Sequence, residues 1–429
     1  MRKHTALQKI AVLLSALCLL MGVVPARAAT TNEVAVQSAA LTTQSAPQNG
    51  MVRVWLSSLG SPSRLDLTVA GSYSLGGDLS RSFSGGTSLT VSFNSASGQL
   101  TLAQNGAVIY VGGDFSLRRH STAGTNGIRI AQARESGNSY PGDLSFQAVR
   151  QSSGSYKLYV IAHVYIEDYL YGVVPYEMGN SSNVEALKAQ AVAARTYTVR
   201  MMSRRASGRY DVVDTTSDQV YRGTPSGNAN CVTAVDSTRG IVLKYGGEYV
   251  MTYYSASNGG QTESAPHGVG SGAYAYFTVK DDPFDYDNPG STVKKKTVYK
   301  DLTSASNPSG LISLLQQKAA AQLGQSVTPV SLQSVTPHTP KYEAPSRLYT
   351  KMDFALTVRN SGGGLQSVTV TCDIFSELES LLGMSIQSAK NELWSVEETA
   401  SGFSLQARRY GHGVGMSQRG AMYMGKLGY

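Results

Sequence analysis

One carboxylate, Glu177, stands in a constrained place in this 429-residue chain, two positions after Pro175 in YLYGVVPYEMGNSSNVEALKAQAVAAR (169–195). An acid held on a turn can give or take a proton, and an apolar setting raises its pKa towards neutrality. Val173, Val174, Pro175, Tyr176 and Met178 supply such a setting. Two cations, Lys188 and Arg195, follow seven residues apart. On a helix they share one face, about 10 Å apart at about 1.5 Å per residue. In contact with Glu177 they would lower its pKa instead. From spacing alone the plainer reading is a surface acid beside a solvated helix face.

The elements that must position these groups can be read locally. Pro175 fixes its own backbone and biases Val174 towards an extended conformation, so the strand-like run YLYGVV is expected to end there. Ser182 reads as a helix N-cap, with Glu185 three residues later completing a capping box. Val184, Leu187, Ala191, Ala194, Thr198 and Met201 step by three and four, which predicts a long helix with one apolar or small face. DQVYRG (218–223) follows. YYSASNGGQTES (253–264) reads as a strand entering a glycine turn, without the G-x-S-x-G setting of a serine nucleophile. YGHGVGMSQRGA (410–421) reads as a tight loop in which Ser417 caps a following helix. His412 is confined between Gly411 and Gly413, an unusual place for a core residue.

YLYGVVPYEM with EALKAQAVAARTYTVR closely resembles the central signature of the stage II sporulation protein D (SpoIID/LytB) family, which includes amidase enhancers. DQVYRG, YYSASNGGQTES and YGHGVGMSQRGA match further segments in order, and the likeness covers roughly residues 140 to 429. The resemblance implies an exported peptidoglycan lytic transglycosylase, with Glu177 as its acid and base and no cofactor. The alternative is a non-catalytic glycan-binding enhancer of a cell-wall amidase. For Lys188 and Arg195 it implies substrate contact or support of the turn, with a salt bridge to Asp214 or Asp218 equally open. Gln219 and Tyr221 are placed along a glycan groove, with a core position equally open for Tyr221. Ser257, Gly259, Gly260 and Thr262 are expected to line that groove or to stabilise the turn. His412 is expected to orient Glu177 or bond the sugar, against fixing its own loop. Gln418 completes the expected binding set. Some family members carry a Cys/His metal cluster; this sequence lacks the pattern, and no metal site is expected. The family also has a longer aromatic tail after the last motif than the residues that follow Ala421 here.

Around this centre the chain reads as α+β, with a β-rich N-terminal lobe joined to a mixed core that has one long helix after the catalytic turn. Residues 1–28 read as an export signal: Arg2, Lys3 and Lys9, an apolar stretch over 10–24, and Ala26-Arg27-Ala28. Cleavage is expected, an uncleaved membrane anchor being the alternative. Residues 29–50 read as a flexible spacer, 51–139 as the β-rich lobe and 140–429 as the catalytic core. Gly246-Gly247 suits a hairpin turn. A helix is expected over 311–323 and an edge strand or loop through TPVSLQSVTPHTPK. The net charge is +8; without the four cations of residues 1–28 it is +8 − 4 = +4. That fits contact with an anionic wall and gives no concentrated basic patch for nucleic acid. Cys231 and Cys372 remain after the signal, and their pairing is left open.

Overall fold

The computed structural model describes residues 42–45, 50–121, 126–270 and 272–429. The expected export signal and most of the expected spacer lie outside these residues. The fold is α+β, and its N-terminal part is β-rich. Among the described residues a seven-stranded and a five-stranded sheet dominate that part. Their strands alternate buried and solvent-facing residues: Leu65, Leu67 and Val69 point inward from Arg64–Ala70, and Leu89, Val91 and Phe93 from Ser88–Phe93. One face of each sheet therefore feeds a shared core. This core crosses residue 139, because Met51–Trp55 pairs antiparallel with Tyr156–Tyr165.

The long strand ends in three consecutive helices. They are α1 (Ile166–Leu170), α2 (Val174–Met178) and the 21-residue α3 (Val184–Arg204). YLYGVV is thus helix and turn, not strand. Ile166, Tyr169, Leu170, Val173, Val174 and Met178 are all buried and recur at helical spacing. Pro175 lies in the first turn of α2, where its missing N–H costs nothing. α3 buries Leu187, Ala191, Ala194, Thr198 and Met201, the face expected from their spacing. Its N-cap is Asn183 rather than Ser182: Asn183 Oδ1 accepts from the Glu185 N–H at 2.8 Å. The Ser182 hydroxyl instead closes α2 by donating to the Met178 carbonyl at 2.6 Å. Asn183 Nδ2 also donates to the Gly425 carbonyl at 2.9 Å, tying α3 to the C-terminal helix Gln418–Lys426.

A second core lies between the helix Ser309–Leu323 and two three-stranded sheets. Val327–Pro340, with its three prolines, is an edge strand. Gly246 and Gly247 turn the hairpin between Ile241–Tyr245 and Glu248–Tyr249 with φ of 58° and 86°. Cys231 is buried in the first core and Cys372 in the second, both as free thiols. Burial raises them to about 11 and about 12. No described helix is long and apolar enough to cross a membrane.

Removing the cap and the tie to Gly425 together, by Asn183→Ala, is expected to cost about 1 to 2 kcal/mol. Ser182→Ala is expected to cost less, because its hydroxyl ends only the short α2. Chemical denaturation of both variants measures the difference.

Candidate active site

Glu177 is partly buried on the last turn of α2. Its Oε1 accepts from the Val220 N–H at 3.1 Å, and its Oε2 lies 3.5 Å from Gln418 Nε2. The Tyr254 hydroxyl is a third partner. Gln219 directs that hydroxyl. Its Nε2 donates to Tyr254 Oη at 3.2 Å, so the Tyr254 proton is left for Glu177. Gln219 is itself held by the Tyr169 hydroxyl, Thr198 Oγ1 and the Ala194 carbonyl. Gln418 also donates to Gln190 Oε1 on α3 at 3.3 Å. Burial raises the Glu177 pKa above its ordinary 4.5, and the three donors offset this only in part. The site is therefore a carboxyl group that holds a proton more firmly than a solvated glutamate.

Neither expected cation touches it. Arg195 is fully buried and makes a two-pronged pair with Glu167 of α1, through Nη2 at 2.7 Å and Nε at 3.0 Å. Its remaining protons go to the Val235 and Ile241 carbonyls and to Thr238. With no exposed surface, Arg195 supports the fold rather than meeting a ligand, and its acid is neither Asp214 nor Asp218. Lys188 pairs with Glu185 on the outer surface of α3 at 2.6 Å.

The other expected residues divide into two groups. Gln219 and Gln418 belong to the Glu177 network. Tyr221 is core: it is fully buried against Tyr169 and Tyr140, at 5.0 and 5.7 Å between ring centres, and no sugar can stack on it. Ser257 donates to Asp285 at 2.7 Å inside the protein, and the same carboxylate oxygen accepts the Gly259 N–H. Gly259 and Gly260 have φ of 75° and 95°. A Cβ on Gly259 would come within 2.9 Å of the Arg409 backbone nitrogen. These three residues build the turn. Thr262 donates to the Thr278 carbonyl and lines a hollow that Glu177 does not line.

His412 fixes its loop. Its Nδ1 accepts from the Val414 N–H at 3.0 Å, and its ring bonds the backbone of Tyr254. Because Nδ1 accepts, the ring proton is on Nε2, and burial lowers the pKa of the ring. It acts on Glu177 only by holding the strand that carries Tyr254. That strand, Tyr254–Ser255, pairs in parallel with Met416–Ser417. Gly415 permits the approach: at φ 76°, a Cβ there would lie 2.1 Å from the Tyr253 carbonyl oxygen. Ser417 caps the last helix through the Gly420 N–H at 3.0 Å, as expected. Arg409, at φ 104° and almost wholly buried, ties the two motif loops through the Asn258 and Gln261 carbonyls, both at 3.0 Å.

Tyr254 and Gln190 were not expected at the site. Tyr254 is the second residue of one of the motifs, but a two-residue strand has no period to say which way a side chain points. Among the described residues no cluster of metal-ligating side chains occurs.

Arg195→Ala leaves Glu167 buried without its partner and is expected to cost about 3–5 kcal/mol. Lys188→Ala should stay within about 0.5 kcal/mol, since its pair is solvated. Denaturant unfolding compares the two. Glu177 provides a pH test. An acid whose pKa is raised on folding favours the folded state below its unfolded value, and this contribution is lost as pH rises through the folded value. Glu177→Gln should therefore gain stability relative to the native protein as pH rises from about 4 towards neutrality, read from thermal midpoints across that range.

Residues 155–245 match the family model described as Stage II sporulation protein (SpoIID). The chain is 31% identical over 275 residues to an amidase enhancer of Bacillus subtilis, covering 60% of this chain and 38% of that protein. It is 29% identical over 283 residues to stage II sporulation protein D of the same organism, covering 62% of this chain and 71% of that one. A shorter match, 45% over 112 residues, is to an uncharacterised protein of Brachyspira hyodysenteriae; it covers 26% of this chain and 30% of that protein. The chain thus spans well under half the length of two of these relatives. The matched domain contains α2, α3 and the Val220 amide that together hold Glu177, and it is through this domain that the chain resembles the stage II sporulation protein D family.

Proposed function

We propose that this chain is an exported enzyme of cell-wall remodelling, in sporulation or in growth, that cleaves peptidoglycan glycan strands as a lytic transglycosylase. The observation that carries this reading is a single carboxyl group, with its pKa raised by burial and no cation among the described residues in contact with it. Glu177 gives its proton to the glycosidic oxygen as the bond to the muramic C1 breaks and positive charge grows on that ring. The resulting carboxylate takes the proton of the same sugar's 6-hydroxyl as that oxygen closes on C1. The products are a free 4-hydroxyl on the leaving strand and a 1,6-anhydro end on the other, and Glu177 is reprotonated. No activated water is needed, so one carboxylate suffices where ordinary glycosidases use two. The candidates for a second acid are otherwise engaged: Asp214 accepts from Ser57 and Ser58, and Asp218 from Tyr197, Arg205 and the Val213 N–H. Tyr254, Gln418 and the Val220 amide steady the carboxylate after proton transfer.

The second reading, a glycan-binding enhancer of a cell-wall amidase, is favoured by the 31% identity to a protein of that name. Glu177→Gln separates the two. It keeps the shape of the side chain and cannot donate the proton. Purified glycan strands, with and without stem peptides, incubated with each form are expected to yield 1,6-anhydro ends from the native protein alone, by mass spectrometry. Cleavage should fall as pH rises through the raised Glu177 pKa. Stimulation of an amidase that is equal in both forms, with no anhydro product from either, rejects the enzyme reading in favour of the enhancer.

A further inference from the structure

α3 has a second working face. The Glu177 network meets α3 at Gln190, Ala194 and Thr198. Lys188, Ala189 and Val192 lie around the helix from these and border a hollow of about 670 Å3. Val192, Leu243, Val250 and Met251 give it an apolar floor. Tyr253, Tyr276 and Phe277 form one wall, with Phe277 4.8 Å from Tyr276 and 5.5 Å from Tyr253 between ring centres. Lys280, which is exposed, lines the hollow together with Lys188. A second hollow of about 430 Å3 shares Val250 and Tyr276 and continues along α3 past Arg200 and Arg204. From Lys188 to Arg204 the helix rises about 24 Å. The ionised side chains lining both hollows are Lys188, Lys280, Arg200 and Arg204 against Glu185 and Glu248, a balance of +4 − 2 = +2. Tyr253 lines this trough while its neighbour Tyr254 bonds Glu177. Glu177, Val220, Tyr254, Gln190 and Gln418 line neither hollow.

The lining specifies a ligand. An apolar floor takes a methyl group, an aromatic face takes the C–H side of a pyranose ring, and rim cations take a carboxylate. An N-acetylated sugar acid offers all three from one residue, and about 24 Å holds several such rings in a row. We propose that this trough is a second, non-catalytic binding site for a strand of N-acetylated, carboxylate-bearing sugars. It holds an uncut length of polymer while Glu177 acts elsewhere on it. The identity of the polymer rests on the function proposed above; the existence of the site does not.

The test uses Lys280→Glu and Phe277→Ala, each in the full chain carrying Glu177→Gln so that nothing is cut. Binding is measured by calorimetry to peptide-free glycan of four disaccharide repeats and to chitin oligomers of equal length, which lack the carboxylate. Lys280→Glu is expected to weaken binding of the carboxylated glycan about tenfold. It should leave the neutral oligomer unchanged, whereas Phe277→Ala should weaken both. Lys280→Arg should restore binding. Lys280 is exposed, so its reversal tests the site without risk to the fold. Unchanged affinity for the carboxylated glycan in Lys280→Glu overturns the proposal, as does an equal loss for both ligands. If the native protein gives no anhydro product and Lys280→Glu still loses the carboxylated strand, the trough stands and the transglycosylase reading falls.

Discussion

The ion pair between Arg195 and Glu167 is the constraint on which the site depends. Its guanidinium, wholly out of water, joins the middle of α3 to α1 and to the end of the helix Ala229–Ser237. A buried pair of this kind adds little net stability, but it is costly to leave half made, and so it fixes one arrangement of the helices. It also spends the buried cation of α3 on Glu167 rather than on Glu177. With Arg195 satisfied by Glu167 and Lys188 turned outwards to Glu185, the environment of Glu177 is set by desolvation and neutral donors.

The two glycine-rich segments serve that environment at one remove. Ser257, Asp285, Arg409 and His412 hydrogen-bond within the loops and leave no group for chemistry of their own. Together they hold the parallel pair Tyr254–Ser255 and Met416–Ser417, which brings Tyr254 from one segment and Gln418 from the other to the same carboxylate. The positive φ values at Gly259, Gly411, Gly413 and Gly415 are what allow the backbones to approach so closely. Tyr254 and Gln418, which these loops hold in place, each lower the Glu177 pKa and offset part of the rise that burial causes. The aromatic trough is lined by Tyr253, the chain neighbour of Tyr254, and not by Glu177, so a long strand held in one place and a reacting bond in another are compatible uses of one scaffold.

The sequence by itself determined a good deal. The step of three and four residues marked the buried face of α3, because helical geometry needs no partner to be recognised. The cap at Ser417, the hairpin at Gly246-Gly247 and the edge strand at Val327–Pro340 followed from rules equally local. Glu177 stood out by its place after Pro175, and burial does raise its pKa. The run YLYGVV was legible as helix too, had its buried spacing been weighed above the bias of the residue before proline.

Tertiary structure alone decided the partners. Arg195 and Lys188 are equivalent by spacing, yet one is buried on Glu167 and the other solvated, because Glu167 comes from a different helix 28 residues away. Tyr221 is core and Tyr254 meets the acid, a distinction set by which sheets and helices cover each ring. Ser257 and His412 look alike as candidates for chemistry, and both are spent on loops partly by contacts that no short window contains, with Asp285 and with the Tyr254 backbone. The reason is general: helical period, caps and turns are properties of neighbouring residues, whereas burial, charge pairing and the direction of a loop side chain are fixed by contacts between segments far apart in the chain.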